Sequence, residues 1–123
     1  MDARTIAAGV ACTALIIFMS LAPQETAGVP LTGLLNGWLS HFAAYAVYAP
    51  IVLLNFIQPM KRRSLLAALI IAISLGTITE LLQPYSGRTA DIMDWGFNSA
   101  GALAGLGAAT LLSTRNKTIS KGM

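Results

Sequence analysis

Charged residues are scarce in this chain. Of its 123 residues, 11% are Asp, Glu, Lys or Arg, whereas a soluble domain carries roughly 25%. Hydrophobic residues make up 55%, and the mean hydropathy is +0.67. A soluble domain of this size has too much surface to leave so nearly uncharged. The composition therefore predicts an integral membrane protein, with residues 1–123 forming a single membrane domain.

The chain also has only one cysteine, and it lacks alternating strand patterns and long basic runs. Cys12 is the only cysteine, so no disulfide forms within the chain. Without alternation of apolar and polar residues, a transmembrane β-barrel is excluded. The net charge of +3 comes from short clusters beside apolar stretches, so we predict the lipid bilayer as a partner and no nucleic acid.

Four apolar stretches are long enough to cross a bilayer. About 20 mostly apolar residues span the hydrocarbon core as a helix, and backbone groups in lipid must be hydrogen-bonded internally. The predicted helices cover residues 5–21, 38–57, 64–83 and 92–112. The sequence therefore predicts an all-α integral membrane fold, a bundle of four transmembrane helices, with the last ten residues frayed.

The distribution of basic residues predicts the orientation. The second link and the tail contain Lys61, Arg62, Arg63, Arg115, Lys117 and Lys121. The first link contains Glu25 and no basic residue, and the third contains only Arg88. The positive-inside rule then places both termini in the cytoplasm of a multi-pass protein of the cytoplasmic (inner) membrane. Residues 20–22 resemble a signal-peptide cleavage site, but Pro23 directly after them favours an uncleaved first helix.

Prolines predict where the helices break. Pro23 argues against a helix across the longest connection, residues 22–37. Pro50 lies inside the second helix and predicts a kink there. Pro59 helps to end that helix, and Pro84 ends the third.

Ionisable and polar residues within the spans gather at one depth. The second helix enters from outside, so His41 lies about 5 Å below the outer boundary at 1.5 Å per residue. The third helix runs outward, so Glu80 lies at a similar depth, and the fourth re-enters with Asp94 in its outer third. The candidate ligand-binding residues at this level are His41, Tyr45, Glu80, Gln83, Arg88, Asp91, Asp94 and Asn98.

The fourth helix presents one polar and glycine-lined face. Asp94, Asn98, Gly101 and Gly105 are spaced i, i+4, i+7 and i+11, which places them on one side of a helix. Glycines four residues apart allow close approach of a neighbouring backbone, so we assign Gly101 and Gly105 to helix packing. Asp94 and Asn98 then point into the bundle.

The predicted cluster has more acidic than basic groups. Glu80, Asp91 and Asp94 stand against Arg88 and His41. We expect Arg88 to offset the cost of a buried carboxylate by a bidentate contact. A protonated carboxyl, a charged histidine, a cation or a ligand head group balances the remaining acid. A divalent metal fits these residue types, but no ligand spacing is diagnostic, so no metal ligand or cofactor is assigned.

These residues resemble the signature of the VanZ-like family of small bacterial membrane proteins. From Glu80 to Gly105 the sequence reads ELLQPYSGRTADIMDWGFNSAGALAG, and His41 with Tyr45 matches the family's upstream H-x-x-x-Y. The resemblance covers residues 38–112. The matching positions in the first stretch are Glu80, Gln83, Arg88, Asp94, Asn98, Gly101 and Gly105. Gly37 and Trp38 replace the Asp-Lys that family members often carry before the histidine.

The resemblance implies a membrane protein of the bacterial envelope, linked in the family's namesake to glycopeptide antibiotic resistance. It implies no settled reaction and no particular oligomeric state. The first hypothesis is a protein that binds or handles an anionic envelope lipid or amphiphile, with Arg88 and His41 at its head group.

Three other functions remain open. One is an enzyme acting on a lipid-linked substrate, with His41 and Glu80 or Asp94 as a catalytic acid/base pair. Ser40 and Ser86 are candidate nucleophiles by position only. Another is a purely structural or accessory subunit in which the cluster fastens helices. Transport ranks last, because the inner half of the helices offers no polar relay.

Overall fold

The computed structural model describes residues 2–22, 37–56 and 61–122. Its helices are α1 (Ala3–Leu21), α2 (Trp38–Phe56), α3 (Arg62–Leu82) and α4 (Ile92–Lys121), with a short 3₁₀ turn (Gln83–Ser86) after α3. No strand occurs in these ranges, so the all-α prediction is confirmed. The predicted first connection with Pro23 and Glu25, and the residues Ile57 and Pro59, lie outside the described residues.

Three helices are long and apolar enough to cross a membrane, namely α1, α2 and α3 with its 3₁₀ turn. This supports a multi-pass membrane protein. The fourth predicted span is present as a helix. α4 is long enough to cross a membrane, but it is not among the helices that are apolar enough to do so.

The prediction for the end of the chain is wrong. α4 continues past Leu112 to Lys121, where the sequence predicted fraying. The extension includes three good helix formers, Arg115, Lys117 and Lys121, among serine, threonine and asparagine residues of lower helix propensity. The N–H of Gly122 closes the helix by donating to the carbonyls of Thr118 and Ile119.

The closest helix packing joins α2 to α4. A Cβ added at Gly101 would overlap the carbonyl oxygen of Phe42, and one added at Gly105 would overlap that of Ala46. The glycine face of α4 therefore lies directly against the α2 backbone. The close approach predicted from the Gly-x-x-x-Gly spacing is confirmed, and α2 is identified as the neighbour.

α3 shows an arrangement that suits lipid better than water. It buries small residues, Ala68, Ala72 and Gly76, against the other helices. Its large apolar side chains point outward, with Ile70 63% and Leu81 67% exposed. Continuous exposed apolar surface marks a membrane or protein contact, so this pattern fits a helix facing hydrocarbon.

α1 lies against the outside of the bundle. Of its residues only Gly9 and Ile16 are buried. The hydroxyls of Thr13 and Tyr48 lie 3.1 Å apart and connect α1 to α2 through a hydrogen bond. This polar contact in an apolar surrounding restricts the rotation of α1 on the bundle.

Candidate functional site

The start of α2, the end of α3 and the start of α4 meet at one end of the bundle. There they bring together His41, Glu80, Gln83, Asp94 and Asn98, which we call the polar cluster. One ligand atom from each of His41, Glu80 and Asp94 lies within 4.8 Å of the others. Ionisable groups that are 14 to 53 residues apart along the chain thus share one small space, as the helix directions predicted.

His41 lies between two side chains of α4. Its Nδ1 lies 3.0 Å from Oδ1 of Asn98, and its Nε2 lies 3.3 Å from Oδ2 of Asp94. The His41 side chain is 13% exposed and that of Asp94 is 22% exposed. Asp94 and Asn98 are one helical turn apart, so a single face of α4 contacts both ring nitrogens. The imidazole is therefore held in one orientation, with its Asp94 side near the surface.

Glu80 is buried, and both of its oxygens accept hydrogen bonds. Oε1 accepts from Nε2 of Gln83 at 3.2 Å, and Oε2 accepts from the backbone N–H of Asp91 at 3.2 Å. Asp91 is exposed and caps α4, because its carboxylate accepts from the N–H of Met93 at 2.8 Å. Glu80 thus ties the end of α3 to the first residue before α4, and the Asp91 carboxylate lies apart from the polar cluster.

The turn between α3 and α4 depends on one glycine. Gly87 adopts a positive φ of 79°, which residues with a Cβ rarely adopt. The reversal lets the N–H of Arg88 donate to the carbonyl of Gln83 at 3.0 Å, and Ser86 donates to the same oxygen at 2.9 Å. This short closure returns the chain to α4 while keeping Glu80 beside Asp91.

The expected contact between Arg88 and a carboxylate is absent from the described residues. Nη1 of Arg88 instead donates to the carbonyl oxygen of Met19 at 3.1 Å. Met19 lies in the last turn of α1, where carbonyls lack an intrahelical donor and the helix dipole favours a cation. The guanidinium therefore caps α1, and its remaining N–H donors stay at the edge of the polar cluster.

Tyr45 lies one helical turn below His41 and is 2% exposed. Its hydroxyl has no hydrogen-bond partner among the described residues. A Cβ at Gly76 would lie 3.4 Å from this hydroxyl and 3.3 Å from Nδ2 of Asn98. Tyr45 therefore belongs to the floor beneath the polar cluster, and Gly76 makes room for both side chains.

Two residues near the site were not among the predicted ones. Gly76 was one, although a glycine inside an apolar helix is itself a signal of close packing. Thr77 was the other: its hydroxyl oxygen accepts from Nε1 of Trp95 at 2.9 Å and links α3 to α4. The sequence does not indicate the contact between Thr77 and Trp95, because this contact depends on how α3 and α4 are rotated about their axes.

A large apolar groove lies away from the polar cluster. It has a volume of about 980 Å³ and runs between α2 and α4 from Ala46 and Gly105 toward Lys117 and Lys121. Half of its other lining residues are alanine or leucine, and none belongs to the polar cluster. Spans counted from the sequence did not predict this groove, because part of its lining belongs to the helical extension of α4.

The polar cluster can act as a proton-transfer pair, an ion site or a head-group site. The hydroxyls of the two candidate nucleophiles already donate hydrogen bonds to backbone carbonyls. Ser40 donates to the carbonyl of Gly37 and Ser86 to that of Gln83. No family model, curated protein or solved structure matches the chain. A functional proposal therefore rests on the geometry of the polar cluster.

Proposed function

We propose that this chain is a membrane protein that binds the head group of an anionic envelope amphiphile at its polar cluster. The observation that carries the proposal is the convergence of His41, Glu80 and Asp94 from three helices at one end of an apolar bundle. Burying such groups among membrane helices costs free energy, so ionisable residues there mark function by default. The resemblance of residues 38–112 to the VanZ-like family supports the same reading.

The proposal includes a fourth membrane span and an orientation. Residues 92–112 of α4 carry a single charged side chain, Asp94, and they pack against α2 along the glycine face. With four spans, the basic residues Lys61, Arg62 and Arg63 and the end of α4 face the cytoplasm. The polar cluster then faces outward, where an envelope amphiphile is accessible.

Arg88 is the residue we assign to head-group recognition. It is the only basic residue in the described part of the link between α3 and α4. A guanidinium has five N–H donors, and the contact with Met19 is made by Nη1. The remaining donors can bind a phosphate while α1 stays capped. A planar fork suits bidentate phosphate contact better than the single charge of a lysine.

Lipid retention by the Arg88→Lys variant tests the proposal. The protein is purified in neutral detergent and incubated with equal amounts of phosphatidylglycerol and phosphatidylcholine, and native mass spectrometry counts the lipids retained. We expect the parent to prefer phosphatidylglycerol. In the variant that preference falls about tenfold, because a charge-assisted hydrogen bond is worth about 1.5 kcal/mol.

Arg115→Lys is the matched control, since it makes the same change at the other end of α4. It should retain phosphatidylglycerol as the parent does. Lysine keeps a charge and one donor for the Met19 carbonyl, so both variants should melt close to the parent. Equal lipid preference in the parent and Arg88→Lys contradicts the recognition role.

An enzyme acting on a lipid-linked substrate is the second candidate. The observation in its favour is the Asp94 carboxylate 3.3 Å from Nε2 of His41, the arrangement of an acid/base pair. It ranks below binding because Ser40 and Ser86 both donate to backbone carbonyls. Turnover of a phosphorylated lipid by the parent, lost in Asp94→Asn, would place it first.

A further inference from the structure

We infer that His41, Glu80 and Asp94 form a binding site for a divalent transition-metal cation of the zinc type. This site goes beyond head-group binding and does not depend on it. Its donor set is one imidazole nitrogen and two carboxylate oxygens, all within 4.8 Å of one another. Imidazole is a ligand that zinc favours and that magnesium and calcium, which prefer oxygen, do not.

The hydrogen bond to Asn98 determines which nitrogen of His41 is free. An amide oxygen can only accept, so Nδ1, 3.0 Å from Oδ1 of Asn98, carries the proton. In the neutral ring, Nε2 then holds a lone pair that faces Oδ2 of Asp94 at 3.3 Å. Two acceptors that face each other need a proton or a cation between them.

The separation of these two atoms fits a shared metal. Zinc bonds of about 2.0–2.1 Å in tetrahedral geometry place neighbouring ligand atoms roughly 3.3 Å apart. Nε2 of His41 and Oδ2 of Asp94 already have this separation. An oxygen of Glu80 lies within 4.8 Å of one ring nitrogen of His41 and of one carboxylate oxygen of Asp94, so a shared metal requires an approach of about 1.5 Å. A rotation of its terminal carboxylate supplies part of that movement.

Charge balance also favours a divalent cation. In their ionised forms, the carboxylates of Glu80 and Asp94 carry two negative charges in a mostly apolar bundle, and the described residues place no ion pair between Arg88 and either of them. A proton on His41 neutralises only one of the charges. A divalent cation bound by a neutral His41 neutralises both.

The surroundings resemble those of other metal sites. A ligating histidine usually donates its second ring N–H to a carbonyl or carboxylate, which fixes its orientation, and Asn98 fills that role here. The Glu80 carboxylate is likewise held, by Gln83 and the N–H of Asp91. The ligand side chains of His41 and Asp94 are partly exposed, so a fourth coordination position is open to water or a phosphate oxygen.

The competing reading is a direct ion pair between a charged His41 and Asp94. It needs no metal, and it leaves Glu80 with only the two hydrogen bonds that it already accepts. The two readings differ in a zinc titration. The metal reading requires one saturable site that depends on His41 and Asp94, and the ion-pair reading requires none.

The test uses the full chain in neutral detergent without added lipid. It is purified with a streptavidin-binding tag, because a polyhistidine tag binds zinc itself, and is then stripped with a chelator. Isothermal titration with Zn²⁺ should show one equivalent bound, and Co²⁺ should give the visible absorption of a four-coordinate site. His41→Gln and Asp94→Asn should each weaken zinc binding at least about tenfold.

Asp2→Asn is the matched control. It removes an exposed carboxylate at the start of α1, away from the polar cluster, and keeps the cap of α1, because Asn caps helices as well as Asp. It should bind zinc as the parent does. Absence of saturable zinc binding in the parent overturns the inference, and so does equal zinc affinity in all four proteins. Because no lipid is present, this result is independent of the head-group proposal.

Discussion

At the scale of single residues, the hydrogen bonds of His41 and Glu80 assign different roles to the two side chains. Glu80 is buried with both oxygens bonded to neighbouring donors. His41 is partly exposed and faces an acidic oxygen of Asp94. Glu80 therefore has a structural task, closing the turn between α3 and α4, even where it also binds a ligand. For His41, the contacts with α4 position the ring near the surface.

Glu80→Gln should separate these tasks. Glutamine keeps an oxygen for the N–H of Asp91, and its NH₂ can donate to Gln83 once that amide turns over, so the unfolding free energy should change little. Glu80→Leu leaves both donors unsatisfied and should cost about 1–3 kcal/mol. Thermal unfolding in detergent measures both. Equal loss of stability in the two variants would contradict the hydrogen-bonding role.

The sequence could predict which residues converge, but not every contact they make. Counting residues from the helix ends placed His41, Glu80 and Asp94 at one depth, because helix rise is fixed. The partner of Arg88 could not be found in this way. Its contact with Met19 depends on where α1 lies against the bundle, and no spacing in the sequence records that position.

At the scale of elements, the glycine face of α4 determines how closely two helices approach. Gly101 and Gly105 lie against the carbonyls of Phe42 and Ala46, so the same contact sets the height of α2 relative to α4. Asn98 lies about one helical turn from Gly101 toward the polar end, and His41 directly precedes Phe42. The glycines thus act on the site indirectly, through the register of the two helices.

Gly101→Ala should destabilise the protein. The added methyl group overlaps the Phe42 carbonyl and forces α2 away from α4, at a cost of about 1–3 kcal/mol. Gly107→Ala is the control in the same helix. Its Cβ meets nothing within 4 Å, and alanine improves helix propensity by about 1 kcal/mol. Chemical denaturation in detergent compares them, and a Gly101→Ala variant as stable as Gly107→Ala would contradict the packing.

Helix ends were harder to predict than helix faces. The start of α4 at Ile92 follows from Asp91, whose side chain caps it as its residue type suggests. The end at Lys121 could not be predicted from span length, because hydrocarbon thickness limits the apolar segment and not the helix. The extension is mostly polar, and its backbone continues the α-helix to Lys121.

At the scale of the whole molecule, the distribution of exposed side chains fits helices whose outer surface contacts a membrane. α3 exposes leucine and isoleucine while it buries alanine and glycine, the reverse of a soluble bundle. The polar cluster lies at the end where α3 finishes. Its functional meaning therefore depends on which side of the membrane that end faces, and on whether α4 crosses.

Cysteine labelling determines both points. Cys12 is first replaced by alanine, and single cysteines are then introduced at the exposed positions Thr89 and Asn116, at opposite ends of α4. In intact cells we expect an impermeant maleimide to label Thr89→Cys, and Asn116→Cys only after permeabilisation. Labelling of both from outside would contradict the fourth span, and the reverse pattern would contradict the orientation.

His41 of α2 lies between Asn98 and Asp94 of α4, and Glu80 of α3 completes the site at this end of the bundle. Because His41 is the single histidine, selective ¹⁵N-histidine labelling reports this residue alone by NMR in lipid. We expect a protonated, hydrogen-bonded Nδ1 whose signal shifts in Asn98→Leu. We also expect an Nε2 signal that shifts in Asp94→Asn. Identical imidazole signals in the parent and both variants would contradict this arrangement.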